Sequence, residues 1–200
     1  MKRTGFIVAA ATLLISTSTF AQSAAEKTGV NSTLGISPTT ADFVKEAAMS
    51  DMTEIAAAKI GQERGNAPEK AFAAQMITDH TKTSEELNSI APADAKATVA
   101  PALDSSSQSK IDKLKNAKPE NFSADYDSMQ VSAHKDAVSL FERYAKGGDD
   151  PKLKDWAGKT LPALQHHLEM APKPPQDGLI ETRSRLQSAL RTLEPLSPSG

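Results

Sequence analysis

The stretch "YDSMQVSAHKDAVSLFERYAKGGDDPKLKDWAGKTLPALQHHLEMA", residues 126–171, decides the fold. Apolar residues recur at three- and four-residue spacing on both sides of a single break, "GGDDP", and that period is helical. The stretch therefore predicts two long helices joined by a short turn, which is an antiparallel hairpin. Pro151 starts the second helix, and "PKPP" from Pro172 stops it. Pro162 falls inside that helix and predicts a kink or a local break unless packing absorbs it.

The same pattern occurs upstream. A helix is expected from about Thr39 to Gln62, with Ser37-Pro38-Thr39-Thr40 as start signals, and a second from about Pro68 to Ile90, with "ERGNAP" between them. The third and fourth helices run from about Asn121 to Lys146 and from Pro151 to Ala171. The connection over residues 91–120 is much longer than the other two and includes "SSSQSKIDKLKNA", which reads as a short helix. A long middle connection can run the length of the bundle and make helices two and three parallel, the one-crossover topology of ferritin-like bundles. The alternative is up-down-up-down with a decorated loop. The chain reads as all-α: a ferritin-like four-helix bundle over residues 38–172. Beyond it, residues 173–200 read as a linker, a C-terminal amphipathic helix in "DGLIETRSRLQSALRTLEPL", and a tail.

The N-terminus carries a different signal. "MKRTGFIVAAATLLISTSTFAQS" begins with Lys2 and Arg3, continues with an apolar run and ends small and polar. This is the pattern of a secretory signal peptide, residues 1–21, and predicts a periplasmic protein. Its removal shifts the net charge from −2 to about −4, which excludes a nucleic-acid partner by charge. Residues 22–37 are small and polar and read as a flexible lead-in. No segment of the mature chain is apolar enough to span a bilayer. The chain has no cysteine, so disulfides and thiolate metal sites are excluded.

Helical phase selects the inward residues. Adjacent helical positions point about 100° apart, so His166 and His167 cannot face the same way. His167 falls on the stripe of Leu153, Trp156, Ala157, Leu161, Leu164, Leu168 and Ala171, whereas His166 falls at its flank. In the second helix His80 lies on the stripe with Ala73, Met76, Thr83 and Leu87, and Asp79 sits beside it. In the third, His134 is central among Val131, Ala137, Val138 and Phe141. In the first, Glu54 is the one carboxylate in a lane of Phe43, Ala47, Ser50, Ala57 and Gly61. Each helix thus offers one inward polar group, at levels that differ by roughly 10 to 15 Å at most for a rise of 1.5 Å per residue.

A buried carboxylate among imidazoles must be paired. One solution is a transition metal held by Glu54, His80, His134 and His167, with Asp79, Met76 and Met170 as candidate additions. Copper, zinc, iron and manganese all accept such ligands. The other is a metal-free hydrogen-bonded network that includes Tyr126 and Asp79. Di-iron bundles place a Glu three residues before a His on two helices, and no histidine here has that partner. Phosphate-binding loops, G-x-S-x-G and H-E-x-x-H are absent. No nucleophile accompanies His80 or His134 as a general base, so an enzyme reading has no support.

The segments "DFVKEAAMSDMTEIAAAKIG", "AFAAQMITDHTKTSEEL" and the stretch quoted at the outset resemble domain of unknown function 4142 (DUF4142), a family of exported bacterial proteins, over about residues 39–172. The resemblance implies a ferritin-like bundle and no established activity. Its matching positions here include Glu54, Asp79, His80, His134 and His167. Where that family carries a glycine after the serine of the first helix, this chain has Asp51, a further carboxylate near the site. Two functional expectations follow. One is a metal-binding protein of metal handling or envelope stress; the other is an interaction or scaffold module with a structural His/Glu core and a protein partner on its C-terminal helix.

Overall fold

The computed structural model describes residue 26 and residues 29–172. The proposed signal peptide, most of the lead-in and the proposed C-terminal helix lie outside the described residues. The described chain forms seven helices and no strands: α1 Val30–Leu34, α2 Thr40–Arg64, α3 Ala67–Ile90, α4 Ala93–Lys96, α5 Ser105–Asn116, α6 Pro119–Gly147 and α7 Pro151–Met170. None of them is long and apolar enough to cross a membrane.

Local chemistry sets the ends of the long helices. Thr39 caps α2 by accepting the Asp42 amide. Asn66 and Glu69 form a reciprocal capping box at the start of α3, with Pro68 in its first turn. Pro119 and Pro151 open α6 and α7, where their missing N–H groups cost nothing, and Asp150 caps α7 through the Leu153 amide. The α7 helix runs unbroken through Pro162. Pro162 and Gly158 are both exposed, so the carbonyl that the proline leaves without a donor faces water.

Contacts between the helices decide the topology. Thr40, at the start of α2, hydrogen-bonds Tyr144 at the end of α6. Phe43 stacks on Tyr144 with ring centroids 3.9 Å apart. At the other end of α2, Arg64 donates to the carbonyls of Leu114, Lys115 and Ala117, just before α6 begins. Helices α2 and α6 are therefore antiparallel neighbours. The Trp156 indole N–H donates to Glu86, which pairs the start of α7 with the end of α3. Helices α3 and α6 consequently run parallel. The connection through α4 and α5 travels back along α2, with Thr98 near Ala41 at its beginning and Arg64 at its end. This is the crossover arrangement, not up-down-up-down.

The segment expected as a lead-in contributes to the packing. Arg143 of α6 holds buried Glu26 through two hydrogen bonds, at 3.0 and 2.6 Å, and also donates to the Ile36 carbonyl. Gly29 and Gly35 bracket α1 with φ of 76° and 68°, a left-handed conformation that glycine adopts without strain.

Two apolar clusters fill the bundle. One holds Phe43, Leu87, Phe141, Tyr144, Leu153 and Leu164; the other holds Ala57, Phe72, Met76, Leu114, Phe122 and Tyr126. Close approach at Gly61 is essential to the second. A Cβ there would lie 2.7 Å from Cζ of the fully buried Tyr126 ring, which stacks on Phe122 and has no room to retreat. Gly61→Ala should destabilise the protein by about 1–3 kcal/mol through overpacking. A lowered urea midpoint with unchanged slope would bear this out, and an unchanged midpoint would show that the ring can move.

Candidate metal centre

Three imidazoles meet between the two apolar clusters. The His80, His134 and His167 ring centroids are 5.6, 5.7 and 5.6 Å apart in their three pairings. All three residues are at most 4% exposed. His166 is exposed, as its place at the flank of the α7 stripe requires.

Each ring makes one outward hydrogen bond and leaves one nitrogen free. His80 Nδ1 lies 2.8 Å from Asp51 Oδ1. His167 Nε2 lies 2.8 Å from Asp79 Oδ2. His134 Nδ1 lies 2.9 Å from the Gln130 carbonyl, which can only accept, so this nitrogen carries the hydrogen. The carboxylates assign the hydrogen likewise on the other two rings. The remaining atoms, His80 Nε2, His134 Nε2 and His167 Nδ1, are buried and have no hydrogen-bond partner. The three residues each offer a ligand atom within 4.8 Å of the others, and they are the one such group of His, Cys, Asp and Glu among the described residues.

The charges around the triad are uneven. Burial opposes protonation of His80, but the hydrogen bond to Asp51 and the charges of Asp51, Glu54 and Asp79 outweigh it and raise its pKa. Burial, with the charges of both neighbouring histidines, pushes His134 down to about 4 against the hydrogen bond to the Gln130 carbonyl. Burial also lowers His167, against the pull of Asp79. Asp79 is itself held below its usual range: burial raises it, but the bonds from Gln75 and His167 prevail. At neutral pH, His134 and His167 are bases with free lone pairs.

The other expected residues have separate places. Glu54 is 1% exposed on α2, and neither carboxylate oxygen has a hydrogen-bond partner. Burial drives its pKa up to about 7, against the pull of His80 and Gln130. Asp79 stands behind His167, on the side away from the free nitrogen. Met76 is fully buried in the apolar cluster of Phe72 and Tyr126, and Met170 is 40% exposed. Asp51 is more central than its place in the sequence suggests: its second oxygen accepts from Thr83 and Ser84, which fixes the carboxylate that fixes His80.

Such a set of side chains belongs to an all-helical bundle with a buried three-imidazole cluster. The model of the family described as domain of unknown function (DUF4142) matches residues 25–173, and the chain belongs to that family. No match was found among curated proteins or among solved structures.

Glu54 makes the metal-free protein sensitive to pH. Its pKa is about 7 in the native state against an ordinary value of 4.5 for a glutamate carboxyl. The native state therefore binds more protons than the unfolded state between these values, and stability falls as pH rises through that window. Glu54→Gln removes this term. The stability difference between variant and wild type should grow in the variant's favour from pH 4.5 to 7, by on the order of 3 kcal/mol, then level off. Denaturant unfolding of the chelator-treated protein at several pH values measures it, and a difference independent of pH would refute the assignment.

Proposed function

We propose that this protein binds one transition-metal ion through His80 Nε2, His134 Nε2 and His167 Nδ1. The observation that carries the reading is the convergence of three buried imidazoles, each with one unpartnered ring nitrogen. Lone pairs left in an apolar interior are costly. One cation satisfies all three, whereas one water molecule has only two hydrogens to donate. Three atoms within 4.8 Å of one another surround a point about 2.8 Å or less from each, so small ring movements reach the 2.0–2.1 Å of a zinc–imidazole bond. Asp51 and Asp79 supply the carboxylate–histidine support typical of such sites. Glu54, on the one long helix that gives no imidazole, is the candidate fourth donor or the acceptor for a metal-bound water. Three imidazoles suit zinc and copper best, with iron and manganese weaker choices.

In this reading the chain is a ferritin-like bundle exported to the periplasm, where it serves metal handling or the response to envelope stress. The competing reading is a structural core network in a scaffold protein. His80 favours that alternative through its raised pKa, since a protonated ring could donate to its neighbours.

Metal content by mass spectrometry separates the two. Protein purified without chelators should carry close to one equivalent of zinc or copper, and the His80→Ala/His167→Ala variant none. Added metal at a hundred times its Kd should stabilise the chelator-treated wild type by about 2.7 kcal/mol and leave the variant unmoved. Absence of uptake of copper, zinc, iron and manganese by folded wild type would refute the proposal. Protons compete for the same nitrogens, so affinity should fall as the solution is acidified, with His80 the first to take a proton.

A further inference from the structure

A second group of buried polar atoms lies at the end of the bundle where α2 turns into α3. Glu69 Oε1, the Tyr126 hydroxyl and Asp127 Oδ1 are buried and have no hydrogen-bond partner. The residues are 1, 0 and 4% exposed. Glu69 uses its other oxygen in the capping box, accepting the Asn66 amide at 2.7 Å.

Two glycines bring these groups together. A Cβ on Gly61 would lie 2.8 Å from the Tyr126 hydroxyl, and a Cβ on Gly65 would lie 3.0 Å from Glu69 Oε2. The Gly65 amide bonds the Gly61 carbonyl, so the two positions are successive turns of one helix face. The hydroxyl and the carboxylate therefore lie against spots about 5–6 Å apart, the pitch of the helix. Asp127 lies seven residues before His134 on α6 and Glu69 eleven before His80 on α3, so both sit on the helix faces that carry those histidines inward. Burial and the charge of Glu69 push the Asp127 carboxyl up to about 6.

The described residues supply no countercharge. Among the described residues no ion pair joins Glu69 or Asp127 to a basic side chain. Arg64, at the same end, gives its guanidinium to the carbonyls of Leu114, Lys115 and Ala117 and lies over the Phe122 ring at 4.6 Å. Oxygen donors without nitrogen or sulfur favour hard cations.

We propose that Glu69 and Asp127, with the Tyr126 hydroxyl packed against Gly61, form a second cation site that takes a hard divalent ion such as Ca²⁺ or Mn²⁺. The site is independent of the imidazole cluster and would bind with that cluster disabled.

The test uses the full chain carrying His80→Ala/His167→Ala, so that the imidazoles cannot contribute. Calorimetry should detect one equivalent of Ca²⁺ or Mn²⁺. Adding Glu69→Gln and Asp127→Asn should weaken binding at least 100-fold while the helical circular dichroism persists. Tb³⁺ provides a second readout. Bound beside Tyr126 it should emit on tyrosine excitation and be displaced by Ca²⁺, and Tyr126→Phe should remove most of the emission while weakening Ca²⁺ binding far less than the Glu69 and Asp127 changes do. No uptake of Ca²⁺, Mn²⁺ or Tb³⁺ by the folded imidazole variant, or uptake unaffected by the Glu69 and Asp127 changes, would overturn the proposal. Failure of the imidazole reading would appear elsewhere, as wild-type protein that takes up no more zinc or copper than the His80→Ala/His167→Ala variant.

Discussion

The outward hydrogen bonds of three buried imidazoles constrain the middle of this bundle more than any other interaction. Asp51, Asp79 and the Gln130 carbonyl each hold one ring nitrogen, and so turn the opposite nitrogen inward. The rings come from α3, α6 and α7, which meet around one point in a bundle whose crossover makes α3 and α6 parallel. Asp51 comes from α2 and completes the set. All four long helices are thus tied to one layer, with an aromatic cluster of Phe43, Phe141 and Tyr144 at one end and one of Phe72, Phe122 and Tyr126 at the other.

Electrostatics divides that layer. Asp51 and Asp79 are spent on imidazoles, whereas Glu54 is left without a hydrogen-bond partner and with its proton affinity raised. A neutral carboxyl is the cheapest form of such a residue in an empty core. A dipositive ion on the imidazoles would reverse that preference, since a nearby cation favours the carboxylate. The buried acid and the free nitrogens therefore belong to one electrostatic problem with two solutions, protons or a metal.

Much of this was legible in the sequence. The four long helices fall within two residues of their expected bounds, because capping residues, prolines and apolar period all agree there. Helical phase placed His80, His134 and His167 inward, and the structure buries all three. Phase failed at Asp51. The expected lane on α2 used Ser50 and left Asp51 one position off, since a carboxylate ordinarily points to water. His80, Thr83 and Ser84, all on the next long helix, explain its burial. Gln130 and Asp127, four and seven residues before His134, and Glu69, four before Ala73, lie on the inward stripes, but their polar side chains argued for water. Loop length alone left two topologies open, and the contacts of Thr40 and Arg64 with opposite ends of α6 decided between them. Rise per residue could bring the histidines to similar heights, but convergence to within 4.8 Å depends on ring orientations set by tertiary hydrogen bonds.

The most direct test of the imidazole centre is a crystal structure with anomalous data collected on either side of the absorption edge of whichever metal accompanies the purified protein. The account predicts one strong anomalous peak bonded by His80 Nε2, His134 Nε2 and His167 Nδ1. It would be contradicted by density for water alone at that point, or by imidazoles hydrogen-bonded directly to one another in crystals grown with zinc or copper.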